Sequence, residues 1–145
     1  MSVNRLRETK PAVAVFGAAG HTGRFVILEF LRRGIVPIAI ARDLAALSAA
    51  NFGHFEVSRR RASVDDVDSL DRALDGAHAV INCAGPFLET ADAVAAASVR
   101  TEIHYLDVTA EQPSVRATLD KYDIPVTKDV GLGSGRDELR SSVVL

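Results

Sequence analysis

The 145 residues predict an α/β domain: a doubly wound parallel sheet in three layers, with crossover helices on both faces. Three observations predict it. From Pro11 onward, short apolar runs alternate with longer amphipathic segments. That rhythm means parallel strands joined by right-handed crossovers. A glycine-rich turn at Gly17, Gly20 and Gly23 follows the first apolar run directly. The length is that of one domain, and 48% hydrophobic residues suffice for a real core.

Each element has its own signal. Residues 1–10 show little hydrophobic periodicity and read as a loose arm, leaving 11–145 as the domain. Val13 to Phe16 is a continuous run rich in β-branched residues, the first strand. Thr22 to Arg33 then spaces Phe25, Leu28 and Leu31 at helical intervals, with Val26, Ile27 and Phe30 widening the apolar stripe. Gly34 accepts the left-handed conformation that stops a helix. Val36 to Ala41 is the second strand, and Asp43 is placed to cap a helix through about Ala50. Phe52 to Val64 is the least patterned stretch; a strand is expected within Phe55 to Val64, around Arg59, Arg60 and Arg61. Asp66 to Leu74 reads as helix, with Val67, Leu70 and Leu74 on one face. Ala79–Cys83 is a strand, Glu89–Val99 a small-residue helix, and Ile103–Leu106 a strand. Pro113–Tyr122 is a helix and Ile124–Thr127 the last strand. No repeat, low-complexity tract or internal boundary interrupts the pattern.

Composition excludes several classes. Lys plus Arg number 17 and Asp plus Glu 19, for a net charge of −2. This argues against nucleic-acid binding through overall positive charge and leaves room for a local basic pocket. Cys83 is the single cysteine, so no intramolecular disulfide forms and no cysteine zinc cluster exists. His21, His54, His78 and His104 lack metal-ligand spacing, and no metal site is expected. The amino-terminal residues are polar, and no window approaches the roughly eighteen apolar residues of a membrane span. A soluble, cytoplasmic domain is the expectation.

The turn reads G-x-x-G-x-x-G between a strand and a helix. In that context the first glycine allows the tight turn and the second lets backbone approach a pyrophosphate. The third lets the helix pack closely. The helix that follows points unpaired N–H groups and its positive end at that phosphate. The fold is thus of Rossmann type, and the partner a dinucleotide; the alternative is three turn glycines in an α/β domain that binds nothing. Which dinucleotide is decided at the end of the second strand, where an arginine suits a 2′-phosphate and an acidic residue suits the ribose. Arg42, directly at the strand end, favours NADP(H) over NAD(H); the alternatives are a solvated charge for Arg42 and a helix cap for Asp43. Arg59, Arg60 and Arg61 either add phosphate attraction or form a solvated edge.

The fourth strand ends in V-I-N-C-A-G-P-F, residues 80 to 87. Its small residues let a cofactor lie against backbone at a strand carboxyl end, where ligands bind in such sheets. Asn82 either hydrogen-bonds a ligand there or satisfies local backbone. Cys83 reads as a small packing residue rather than a nucleophile, because no base is evident beside it.

With these pieces in place, the chain resembles the NAD(P)-binding domain of saccharopine dehydrogenase-like oxidoreductases, including the trans-acting enoyl reductase branch. Four blocks carry the resemblance: V-F-G-A-A-G-H-T-G-R from Val15, V-I-N-C-A-G-P-F, H-Y-L-D-V-T-A-E from His104 to Glu111, and a weaker G-L-G-S-G-R-D-E-L from Gly131 to Leu139. The resemblance implies that Gly17, Ala19, Gly20, His21, Thr22 and Gly23 form the diphosphate loop and that Arg42 contacts the adenosine phosphate. Ala84, Gly85 and Pro86 would flank the nicotinamide. Tyr105 and Asp107 would face the nicotinamide and substrate, unless Tyr105 is core and Asp107 with Thr109 caps the next helix. They are the candidates for catalysis, which is otherwise unassigned.

The chain departs from the family in places. Ala110 stands where relatives more often have glycine, and Gly133 and Ser134 replace a more rigid pair. Ser134 lacks the spacing of a nucleophile elbow. Relatives are much longer, so the domain is expected to be truncated relative to the family at Leu145, where a new helix is expected to begin. The second domain, which supplies the substrate pocket, would then be missing. The resemblance implies hydride transfer between NADP(H) and an organic substrate, with the cofactor supplying the chemistry. The alternative is a non-catalytic NAD(P)-binding module, completed for substrate only by a further domain or subunit. A short-chain reductase would need Tyr-x-x-x-Lys, yet Thr109 and Val126 follow Tyr105 and Tyr122 at that spacing. An open sheet edge at the carboxyl end would favour a homo-oligomer.

Overall fold

The structure, a computed structural model, describes residues 10–122 and 143–144. Its elements in chain order are β1 (Ala12–Phe16), α1 (His21–Arg32), β2 (Val36–Ala41), α2 (Leu44–Ala49), β3 (Ser58–Arg61) and α3 (Val67–Leu74). They continue as β4 (Ala79–Asn82), α4 (Phe87–Arg100), β5 (His104–Asp107), α5 (Gln112–Tyr122) and β6 (Val143–Val144). All strands pair in parallel, in the order β3-β2-β1-β4-β5-β6. The chain winds outward from β1 to β3, then returns to the other side of β1 with β4. The crevice between β1 and β4 is therefore the switch point, outside which ligands bind in open α/β sheets.

Alternation along the strands divides the core. Ala14, Phe16, Ile38, Ile40, Val80 and Tyr105 face α3 and α4, where Leu70, Leu74, Val94 and Ala97 meet them. Val15, Ala39 and Ala41 face the other way, against Ile27 of α1, Leu47 of α2 and the fully covered Phe52. Both faces of β1 and β2 are buried along most of their length, which is why these strands read as continuous apolar runs, whereas β4 and β5 bury one face fully and leave the other half-covered or exposed.

Helix α1 turns a different face inward from the one its spacing suggests. Gly23 and Ile27 are buried, with Val26, Phe30 and Leu31 partly covered beside them. Phe25 is 61% exposed and Leu28 39%. The rotation is set at the helix start, where a β-carbon on Gly23 would lie 2.2 Å from the Gly17 carbonyl oxygen. Only the glycine side of the helix can approach that closely.

The unpatterned stretch yields β3, four residues with no apolar side chain among them. Its arginines explain how such a strand holds. Arg59 donates to the Leu47 and Ala50 carbonyls at 3.2 and 3.1 Å, closing the end of α2, and stacks 4.8 Å over the Phe52 ring. Arg60 points to the opposite face and donates to the Ala73 and Asp75 carbonyls at 2.9 and 2.6 Å, closing the end of α3. The last carbonyls of a helix need such partners. Arg59, exposed on the edge strand, and half-buried Arg60 thus spend their guanidinium groups on backbone carbonyls of the domain rather than on phosphate attraction.

Asp43 caps α2, accepting from the Ala46 N–H at 3.1 Å, and Asp66 caps α3 through Ser69 at 3.0 Å. Helix α4 starts at Phe87, two residues ahead of the expected Glu89. The expected strand Ile124–Thr127 lies outside the described residues, as does all of the arm but Lys10. At the carboxyl end, where a helix is expected to open, Val143 and Val144 instead pair with Leu106 and Asp107. Adjacent β-branched residues suit a strand better than a helix.

Candidate functional site: a cradle at the sheet switch point

The turn after β1 is held from two sides. The Gly17 and Ala18 N–H groups both donate to the Ile40 carbonyl, at 2.9 and 3.0 Å, which ties the turn to the end of β2. On the other side Gly17 abuts β4: a β-carbon there would meet the Ala84 nitrogen at 2.8 Å and the Cys83 carbonyl carbon at 2.9 Å. Its φ of +84° also belongs to glycine. The structure therefore brings Gly17–Gly23 and Ala84 together over the crevice, with Arg42 two residues beyond the Ile40 anchor.

Packing explains Gly17 and Gly23, but not Gly20. A β-carbon on Gly20 would meet nothing closer than the Gly17 oxygen at 3.3 Å. Gly20, His21 and Thr22 are exposed, Ala19 half-buried and Gly23 buried. Gly20 is also the N-cap of α1, and no side chain caps that helix. The first helical bond runs from the Arg24 N–H to the Gly20 carbonyl at 3.1 Å. The N–H groups of His21, Thr22 and Gly23 in the first turn are thus left without helical acceptors, and no acidic residue occupies that turn. A bare positive helix end beside an open glycine is a fit for a diphosphate, which takes backbone N–H donors and close approach.

Arg42 is exposed, and its side chain has no partner among the described residues. Gly85 and Pro86 are exposed on a cis peptide at the exit from β4, and Ala84 is half-buried. Cys83 is half-covered, and burial pushes its thiol up to about 11, which fits a packing residue.

The end of β5 is built differently. Asn82 is fully buried; its amide donates to the Thr90 hydroxyl at 3.1 Å and the Tyr105 hydroxyl at 3.4 Å, while its oxygen accepts from the Ala84 N–H at 3.0 Å. Tyr105 donates to Asp107 at 2.9 Å, and Asp107 accepts the Thr109 N–H at 3.2 Å. Burial, above all, pushes the Tyr105 phenol far above the usual tyrosine range; the Asp107 charge adds to the rise and the Asn82 amide opposes it. Tyr105 and Asp107 thus face inward and bond each other.

Two members of this network carried no sequence signal. Thr90 donates to the Ala84 carbonyl at 2.6 Å, fixing the backbone beside Gly17. Glu111 reaches back to accept the Phe87 and Leu88 N–H groups at 3.1 and 3.3 Å, capping α4 across 24 and 23 residues. That cap accounts for the early start of α4. Among the described residues no group of His, Cys, Asp and Glu is placed to hold a metal ion, and no helix is long and apolar enough to cross a membrane.

The model of the saccharopine dehydrogenase NADP binding domain matches residues 13–124, the larger part of the chain. The chain belongs to that family. Its members are nicotinamide dinucleotide-binding domains of Rossmann type. Among curated proteins, a probable mitochondrial saccharopine dehydrogenase-like oxidoreductase of Arabidopsis thaliana is 27% identical over 126 residues, covering 75% of this chain and 28% of that protein. Cinnamoyl-CoA reductase 1 of Oryza sativa subsp. japonica is 37% identical over 96 residues, covering 63% and 28%. The chain thus spans a little over a quarter of the length of these relatives. Of solved structures, the Citrobacter sp. triphenylmethane reductase complexed with NADP(H) superposes with a TM-score of 0.59 at 19% identity, over 78% of this chain and 46% of that one. A short-chain dehydrogenase/reductase from Veillonella parvula gives 0.59 at 18%, over 70% and 48%. At these identities the likeness is one of fold.

Proposed function

We propose that this domain binds NADP(H), in preference to NAD(H), for an oxidoreductase that exchanges hydride with an organic substrate. The observation that carries the proposal is the open face of Gly20 at the uncapped start of α1, in a turn tied to the end of β2, where the Arg42 side chain has no partner among the described residues. In this reading Gly17, Ala19, Gly20, His21, Thr22 and Gly23 cradle the diphosphate through backbone. Arg42 holds the 2′-phosphate, and Ala84, Gly85 and Pro86 line the nicotinamide side. The coenzyme supplies the hydride when bound, and the domain orients it. A further domain or subunit supplies the substrate pocket.

A second reading, a binding module without chemistry of its own, is favoured by one observation. Tyr105 and Asp107, the polar residues at the end of β5, are spent on each other inside the domain.

Titration of the purified chain with NADPH and NADH tests the first reading. Gly20→Asp, which sets a carboxylate against the diphosphate, should abolish binding of both coenzymes. Arg42→Ala should weaken NADPH more than NADH. Equal binding by the wild type and Gly20→Asp would place the coenzyme elsewhere. An unchanged preference in Arg42→Ala would remove the case for NADP(H).

A further inference from the structure

Three consecutive arginines end β3, and the strand's alternation gives each a different destination. Arg59 and Arg60 close the carboxyl ends of α2 and α3 through backbone carbonyls. Arg61 has no such set of acceptors. It pairs in register with Ala41, at the carboxyl end of β2. There its Nε donates to the Arg42 carbonyl at 3.1 Å. The two terminal amino groups of Arg61 have no partner among the described residues, and Arg61 is exposed. Arg61 is therefore anchored on the backbone that carries Arg42, and neither arginine forms an ion pair with any described acidic side chain. Asp43, the nearest acid in sequence, turns one oxygen to the Ala46 N–H as a helix cap.

Such an arrangement concentrates positive charge at one strand end. It is also the arrangement that recognises a phosphate dianion, since guanidinium groups present paired N–H donors to phosphate oxygens. The anchor matters as much as the charge. The bond to the Arg42 carbonyl fixes Arg61 against the backbone that carries Arg42, so the two guanidinium groups share one origin. That origin lies two residues past Ile40, whose carbonyl also holds the Gly17–Ala18 turn.

From this we infer that Arg61 is a specificity-determining residue, forming with Arg42 a two-arginine clamp for the phosphate that distinguishes NADP(H) from NAD(H). Arg59 and Arg60 take no part in it. The inference rests on the dinucleotide reading above and adds a residue to the same site. It also divides a run of like residues by what each one touches.

The test is titration of the chain with NADPH, NADH and adenosine 2′,5′-bisphosphate, comparing wild type, Arg61→Ala and Arg60→Ala. Arg61→Ala should weaken NADPH and the bisphosphate about tenfold or more, the usual cost of a lost charge-assisted bond, with NADH within about twofold. Retained NADH binding reports that the variant is folded. Arg60→Ala removes an equal charge from the same strand and should leave the NADPH-to-NADH ratio unchanged. The clamp is overturned if Arg61→Ala leaves that ratio unchanged, or if Arg60→Ala lowers it equally, which would make the effect one of overall charge. Binding of neither coenzyme by the wild type would instead overturn the dinucleotide reading itself.

Discussion

The Tyr105 hydroxyl donates a 2.9 Å hydrogen bond to the Asp107 carboxylate, and both side chains are almost fully buried. A strand residue and its neighbour two positions on share a face, so the bond locks the last turn of β5 before the chain leaves for α5. Through Asn82 the same bond reaches the end of β4 and the backbone that supports Gly17. The polar network thus stiffens the floor of the cradle.

Tyr105→Phe keeps the ring and removes the hydroxyl, leaving Asp107 and Asn82 each short of a partner. Loss of a buried partner costs about 1–3 kcal/mol. The expected outcome is a drop of that size in denaturant unfolding, with coenzyme affinity nearly unchanged. A large loss of affinity at unchanged stability would give Tyr105 a direct role at the ligand.

The same residue sets a pH dependence. The folded phenol titrates above the unfolded one, so the folded state holds its proton more tightly. Its contribution is complete below the unfolded value of about 10 and is lost as pH rises above that. Unfolding followed from pH 8 upward should show stability falling past about 10, and Tyr105→Phe should flatten that fall.

Glu111 is the next case. Its carboxylate caps α4, a helix whose own N-cap is Pro86 and which has no side-chain cap there. Glu111→Ala should cost about 0.5–2 kcal/mol, the usual range for a lost cap. Amide exchange should quicken at Phe87 and Leu88 more than in α1. Unchanged exchange there would mean the cap contributes nothing.

These residues show where the sequence was readable. The glycine turn, the strand runs and the Asp43 cap are local: each is a spacing of a few residues whose physics is complete within itself. The rotation of α1 was not, because Phe25, Leu28 and Leu31 satisfy a helical period as well as Gly23 and Ile27 do. Only the contact of Gly23 with the turn decides between them. Arg59, Arg60 and Arg61 look alike in sequence and differ only in what the neighbouring helices offer them. Glu111 and Thr90 gain their roles from partners on other elements, and periodicity carries no such information.

The three turn glycines should separate by stability. Gly23→Ala drives a β-carbon to 2.2 Å from a backbone oxygen, and Gly17→Ala meets backbone at 2.8 Å in a positive-φ conformation. Overpacking of this kind costs about 1–3 kcal/mol or more. Gly20→Ala meets one atom at 3.3 Å and should cost well under that. Thermal unfolding of the three variants should therefore leave Gly20→Ala closest to wild type. If Gly20→Ala melts as low as Gly23→Ala, the face proposed for the diphosphate is already filled by the fold.

Cys83 provides the last test, because its reactivity reports how closed the floor of the cradle is. Burial raises its thiol to about 11, and only the thiolate attacks an alkylating reagent. Against an ordinary thiol near 8.5, that rise lowers the thiolate fraction at pH 8 by roughly two orders of magnitude. Iodoacetamide should therefore label the folded chain far more slowly than the urea-unfolded chain, as read by mass spectrometry over time. Because the folded value is raised, the contribution of Cys83 to stability is complete below the unfolded value of about 8.5 and fades as pH climbs toward 11. Folded-state labelling should quicken over that same interval. Rapid labelling of the folded chain at pH 7.5 would mean that an unrecognised base activates the sulfur, and that Cys83 is more than packing beside Gly17.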